Sequence, residues 1–179
     1  MRLRPIPWLC LVALLAGCVP STPPITSSSS NDATPLARDA YVGMAAASDL
    51  FEVQSSQLAL TRAQSPAVRD FAQMMIADHG NTTRQLITAA QAVGIGPVAP
   101  ALLPTQARMM QRLGAAGSGP AFERVYLDQQ VEAHRAALAL HSHYAQDGDT
   151  PQLRTVAAAA APTVQVHLDR VRQLAGTGG

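Results

Sequence analysis

The chain has 179 residues, a formal net charge of +1 and only 4% aromatic residues. Its 13 basic side chains are all arginines and form no tract, so the basic stretches interleaved with aromatics that nucleic-acid binding needs are missing. A chain of this length fits one domain with a real core once its termini are set aside.

The N-terminus reads as a processing signal. Arg2 and Arg4 precede the run IPWLCLVALLAG, which is too short for a comfortable membrane-spanning helix and ends in Leu15-Ala16-Gly17-Cys18. This order resembles the lipobox of a bacterial lipoprotein precursor, with residues 1–17 as the signal peptide. The resemblance implies that the Cys18 thiol is lipidated with diacylglycerol and that the mature chain begins there. More than one acyl chain gives stable anchoring, so the membrane is an expected partner through Cys18. Val19, rather than Asp, follows the cysteine, which favours the outer membrane in the sorting rule of such lipoproteins. The expected location is the bacterial cell envelope, at the outer membrane and facing the periplasm. Cys10 leaves with the signal, so the mature chain has neither a disulfide nor a cysteine metal site.

Residues 18–37 contain VPSTPPITSSSSNDATP, rich in Pro, Ser and Thr. Such a segment cannot bury enough apolar surface to offset its ordering entropy and is expected to be a disordered tether. The domain is expected over residues 38–175, with a frayed tail at 176–179.

No strand pattern appears, and Ala, Gln, Leu, Arg and Met dominate, all good helix formers. The first long helix is expected from about Leu36 to Ala63, with Met44, Ser48, Phe51, Ser55 and Leu58 on one stripe. The second begins at Ser65-Pro66, a capping residue followed by a proline whose missing N–H costs nothing there. Val68, Phe71, Ala72, Met75, Leu86, Ala90 and Val93 line its inner side, and Gly94 and Gly96-Pro97 end it. The three-residue link GlnSerPro forces these two helices to pack antiparallel. A Pro-rich connection follows, with a short helix from Thr105, its expected cap, to Leu113. The third long helix runs from about Pro120 to Gln146. Thr150-Pro151 repeats the cap-then-proline start of a fourth that reaches Leu174, with Pro162 expected to kink it. The fold class is therefore all-α, a four-helix bundle with a short extra helix between the second and third long helices.

Polar groups interrupt the buried stripes. His79 lies within the Val68–Phe71–Met75–Leu86 arc, with Asp78 at its edge. Glu52 follows Phe51, and His167 sits in register between Val164 and Val171. His134 shares an arc with Leu127, Val131 and Leu138, with Gln130 and His141 on the same side. Counted from the hairpin turns at about 1.5 Å per residue, Glu52, His79, His134 and His167 fall near one level of the bundle. Imidazoles and a carboxylate are ordinary ligands for a single iron, zinc or copper ion. Asp78, Gln130 and His141 would support such a site. The competing reading is a buried polar network that fixes which helix faces pair.

A di-iron carboxylate centre wants Glu-x-x-His pairs. Ile76, Val131 and Val164 stand three residues before His79, His134 and His167, so no such pair exists. There is also no Gly-x-Ser-x-Gly elbow, phosphate loop or thiol nucleophile, and no catalytic residue is assigned.

Glu52, FAQMMIADHGNTTRQL (residues 71–86), FERVYLDQQVEAHRAAL (residues 122–138) and His167 together resemble the bacterial domain-of-unknown-function 4142 family. Members of that family are often described as outer membrane proteins. The resemblance implies a ferritin-like fold and carries over Glu52, Asp78, His79, His134 and His167 as pattern positions. The leading expectation is a lipid-anchored envelope protein acting as a non-catalytic binding or structural module, with an envelope protein as partner and no nucleic acid. The alternative is a metal-binding bundle with a metal-handling or stress-related role. A third reading is a pH-responsive module, since three histidines beside a carboxylate could change charge near neutrality.

Overall fold

The computed structural model describes residues 36–176. The signal peptide, Cys18, nearly all of the tether and the last residues of the tail lie outside the described residues. The described residues form five helices and no strand: α1 (Arg38–Arg62), α2 (Pro66–Ala92), α3 (Pro104–Ala115), α4 (Pro120–Asp147) and α5 (Pro151–Gly176). No described helix is long and apolar enough to cross a membrane.

Proline opens α2, α3, α4 and α5. At the first helical position its fixed φ suits the helix and its absent N–H leaves no orphan donor. The expected cap at Thr105 is corrected. Pro104 starts α3 one residue earlier, and the Leu103 N–H is bound instead by Gln106 Oε1 at 2.8 Å. Ser65 does occupy the N-cap of α2, but its side chain makes no capping bond. Glu123 of α4 reaches across instead, its Oε1 accepting from the N–H groups of Gln64 and Ser65 at 2.6 and 2.7 Å. Gly119 turns the chain into α4 at φ +68°, a conformation that favours glycine, and its N–H donates to Arg62 O at 2.8 Å. These bonds tie the end of α1 and the starts of α2 and α4 together. At the opposite end, Asp149 Oδ2 accepts from the Arg38 N–H at 3.1 Å, and Asp149 Oδ1 accepts from the Tyr144 hydroxyl at 2.8 Å.

Around the bundle the order is α1, α2, α5, α4, with neighbours antiparallel. The crossover from Val93 to Gly119, which holds α3, carries the chain back along the bundle, so α2 and α4 run in the same direction. One long crossover is a ferritin-like connectivity. Helix α5 continues through Pro162, whose ring lies on the exposed side.

The apolar core is in two parts. One contains Ala59, Val68, Phe71, Met75, Leu113, Phe122, Tyr126, Leu168 and Val171. The other contains Tyr41, Val42, Ala45, Leu86, Ala90, Tyr144, Leu153 and Ala157, with Tyr41 and Tyr144 stacked at 3.8 Å between ring centres. Between them lies a buried layer of Asp49, Glu52, His79, Gln130, His134 and His167. Met44, Leu58, Val93, Val131 and Leu138, expected on the inner sides, are only partly buried at the margins. The small residues Ala45, Ala46, Ala47, Ser48, Ser55 and Ser56 let α1 sink deeper than its large side chains alone suggest.

Candidate metal centre

Three histidines from three helices meet in the middle of the bundle. His79 of α2, His134 of α4 and His167 of α5 are at most 2% exposed. Their ring centres are 5.5 Å (His79–His134), 5.2 Å (His79–His167) and 5.5 Å (His134–His167) apart, close to an equilateral triangle. One nitrogen of each ring lies within 4.8 Å of those of the other two.

Each ring is held by an oxygen on one nitrogen and has no hydrogen-bond partner on the other. The His134 Nδ1–H donates to the Gln130 carbonyl at 2.8 Å, one turn back on the same helix. His167 Nε2–H donates to Asp78 Oδ2 at 2.9 Å. His79 Nδ1 lies 2.9 Å from Asp49 Oδ1 and 2.8 Å from Glu52 Oε2. The nitrogens without partners are His79 Nε2, His134 Nε2 and His167 Nδ1. A carbonyl or carboxylate bound to one nitrogen fixes the tautomer and aims the lone pair of the other, which is how metal-ligating histidines are oriented.

The dimensions fit an ion. Three imidazoles sharing one ion at the usual metal–nitrogen distance of about 2.0 Å stand about 5 to 5.5 Å apart between ring centres. Three unpartnered buried ring nitrogens would otherwise be costly, because buried polar groups are ordinarily paired.

The electrostatics divide the rings into two kinds. Burial alone would lower the pKa of His79, but the Glu52 charge beside it, together with the hydrogen bond that Asp49 accepts, overcomes this and pushes it up to about 10. Burial alone would raise that of Glu52, but His79, and then His134, pull it down to about 2. For His134 and His167 burial prevails and lowers the pKa, despite Glu52 beside the first and Asp78 beside the second. In the metal-free site these effects favour the charged form of His79 and the neutral forms of His134 and His167.

The predicted ligand and supporting positions of the bundle have these places. Glu52 is wholly buried, beside His79 and 3.7 Å from His134 Nδ1. Asp78 is at the rim, its side chain 43% exposed, and it serves His167 rather than its chain neighbour His79. Gln130 acts through its backbone carbonyl, while its side chain donates to Ser55 Oγ at 2.8 Å. His141 stands apart from the triangle, its Nδ1 3.1 Å from the Tyr41 hydroxyl.

Sequence reasoning missed Asp49, Thr82 and Thr83. Asp49 is 5% exposed. Its Oδ2 lies 3.0 and 2.9 Å from the Thr82 and Thr83 hydroxyls. The available signal was the spacing Asp49-x-x-Glu52, which puts two carboxylates on one helix face, and the ThrThr pair one turn after His79.

Fold and site together define the chain as a ferritin-like helical bundle with a buried histidine–carboxylate centre. Residues 23–174 match the family described as Domain of unknown function (DUF4142), and the chain belongs to that family. No curated protein matches it in sequence. Among solved structures it is similar to CopM in the Cu(II)-bound form, with a TM-score of 0.68 at 16% identity over 80% of this chain and 98% of that one. CopM in the Cu(I)-bound form gives 0.66 at 16% identity over 78% and 96%. The apo form of CopM gives 0.64 at 16% identity over 79% and 98%. At this identity the likeness concerns the fold, and it agrees with an all-α bundle.

Proposed function

We propose that the protein is a metal-handling module that holds one copper ion among His79, His134 and His167. The observation that carries this reading is the trio of buried imidazoles, each bound to oxygen through one nitrogen and lacking a partner on the other. A polar network that only aligned the helices would be expected to use both nitrogens. Copper is named for two reasons. Imidazole donors suit it, and copper(II) binds such sites most tightly of the divalent first-row metals. The similar folds are also described as copper- and silver-bound proteins.

The chain's own residues select, orient and shield the ion. Asp78, Gln130 and the Asp49–Glu52 pair aim the rings, and the two apolar clusters exclude water from above and below. The function proposed is binding rather than catalysis. Lipidation at Cys18 would tether the domain to the outer membrane, where it would meet metal in the periplasm.

The test is metal content and melting temperature of the purified chain after exposure to copper, zinc or iron. Stoichiometric copper that is lost in His79→Ala and His134→Ala is the expected result. No stoichiometric uptake of any of the three ions would end the metal reading. For the anchor, Cys18→Ala should release the protein from membranes, and unchanged retention would overturn it.

A further inference from the structure

We propose that His79 is a bridging ligand and that the bundle holds a second, divalent cation between its Nδ1 and the carboxylates of Asp49 and Glu52. This rests on the three-histidine site proposed above and extends it from one ion to two.

Four observations support the second site. Asp49, Glu52 and His79 each offer one ligand atom within 4.8 Å of the others, and all three residues are buried. Glu52 is 0% exposed, and neither of its carboxylate oxygens accepts a hydrogen bond. In the metal-free chain the His79 ring beside Oε2 supplies the counter-charge, a role that a cation bound at Nδ1 would take over. The oxygens of Asp49 and Glu52 stand 2.9 and 2.8 Å from the same nitrogen. One proton on Nδ1 cannot point at both, whereas a cation is attracted to all three atoms together. Lastly, Thr82 and Thr83 engage Oδ2 of Asp49, which leaves Oδ1 toward His79.

The chemistry differs from that of the three-histidine side. One imidazole and two carboxylates form a harder donor set that suits zinc or copper(II) over copper(I) or silver. Two carboxylates also balance the charge of one divalent ion. An ion at Nδ1 takes the place of the proton there. With an ion on each nitrogen the ring is an imidazolate, and both ring protons pass to solvent. A surface depression of about 210 Å³, lined by Asp49, Leu50, Val53, Gly80, Thr83 and Pro100, offers an approach to this carboxylate side.

The experiment is a copper(II) titration of the full, metal-free chain in a His143→Ala background, which removes the one exposed imidazole among the described residues. Bound copper is counted by elemental analysis and its spins by electron paramagnetic resonance. Two ions per chain are expected, with fewer detectable spins than two isolated copper(II) ions would give, because a shared imidazolate couples them. Asp49→Asn and Glu52→Gln should each reduce binding to one ion with a full, uncoupled signal. Having two variants guards against one that fails to fold. One ion in the parent chain would overturn the second site and leave the three-histidine site standing, whereas none would remove both. Two uncoupled ions, or two ions retained in both variants, would also overturn the bridge.

Discussion

Asp78 and His167, 89 residues apart in sequence, join α2 to α5 through a 2.9 Å contact between Oδ2 and Nε2. The carboxylate is at the rim while the imidazole is inside, so a half-exposed residue sets the direction of a buried donor. Asp78→Ala is therefore expected to weaken copper binding by roughly 10- to 100-fold, the usual cost of removing an orienting partner. Competition with a chelator of known affinity measures this, and the metal-free protein should also lose about 1 to 3 kcal/mol of stability, because the buried His167 Nε2–H is left without an acceptor.

His134→Ala should separate stability from metal response. In the parent chain, copper at 100 times its dissociation constant is expected to add about 2.7 kcal/mol of stability. In the variant the same copper concentration should shift the melting curve by clearly less, leaving only the contribution of an ion on the carboxylate side of His79. A shift of similar size in both would place the ion elsewhere.

Phe71 supports the site from the apolar cluster beneath it, with its ring centre 6.2 Å from that of Tyr126 and 6.3 Å from that of His134. Phe71→Ala is expected to cost about 3 to 5 kcal/mol of folding stability through the cavity it leaves. Urea unfolding reads this directly. Because the cavity borders His134, copper affinity should fall as well.

The metal-free protein should lose stability as pH falls from 7 to 5. His134, His141 and His167 have pKa values lowered by burial, so below 6.5 the unfolded chain takes up protons that the folded chain resists. His79 offsets only a small part of this loss: its raised pKa gives a contribution fully present below 6.5 that declines progressively as pH rises from there through about 10, so it gains only slightly between pH 7 and 5. Glu52 has a lowered pKa, so its contribution is present above 4.5 and lost only as pH falls toward about 2. Melting temperatures in metal-free buffers across this range are the check, and a curve flat from pH 7 to 5 would contradict the neutral, buried state of the three rings.

Helix pattern and punctuation made much of this fold legible. Pro66, Pro120 and Pro151 mark helix starts that the structure keeps, and the inward positions of His79, His134 and His167 follow from the 3.6-residue period. Glu52 and the histidines share one level because residues equally far from a short hairpin turn face each other. Other features were not local. Glu123 binds the N–H groups of Gln64 and Ser65 just ahead of α2 only because α4 begins beside α2 in space. Asp49 resembled an ordinary surface aspartate in the sequence, and its burial depends on the small residues around it on α1 and on two threonines of the next helix. Asp78 and His79 are adjacent in sequence, yet one helical step sends them to different partners, and only the position of α5 shows where Asp78 points.

The three rings of the triangle come from α2, α4 and α5, and α1 contributes the carboxylates behind one of them. No hairpin alone contains the set. His167, in the final helix, is the last of these residues to be synthesised, so the complete constellation cannot exist on a nascent chain whose α5 has not yet emerged. The proposed three-histidine site would thereby be confined to a chain whose α5 has emerged, and a chain truncated before α5 would carry two of its three rings.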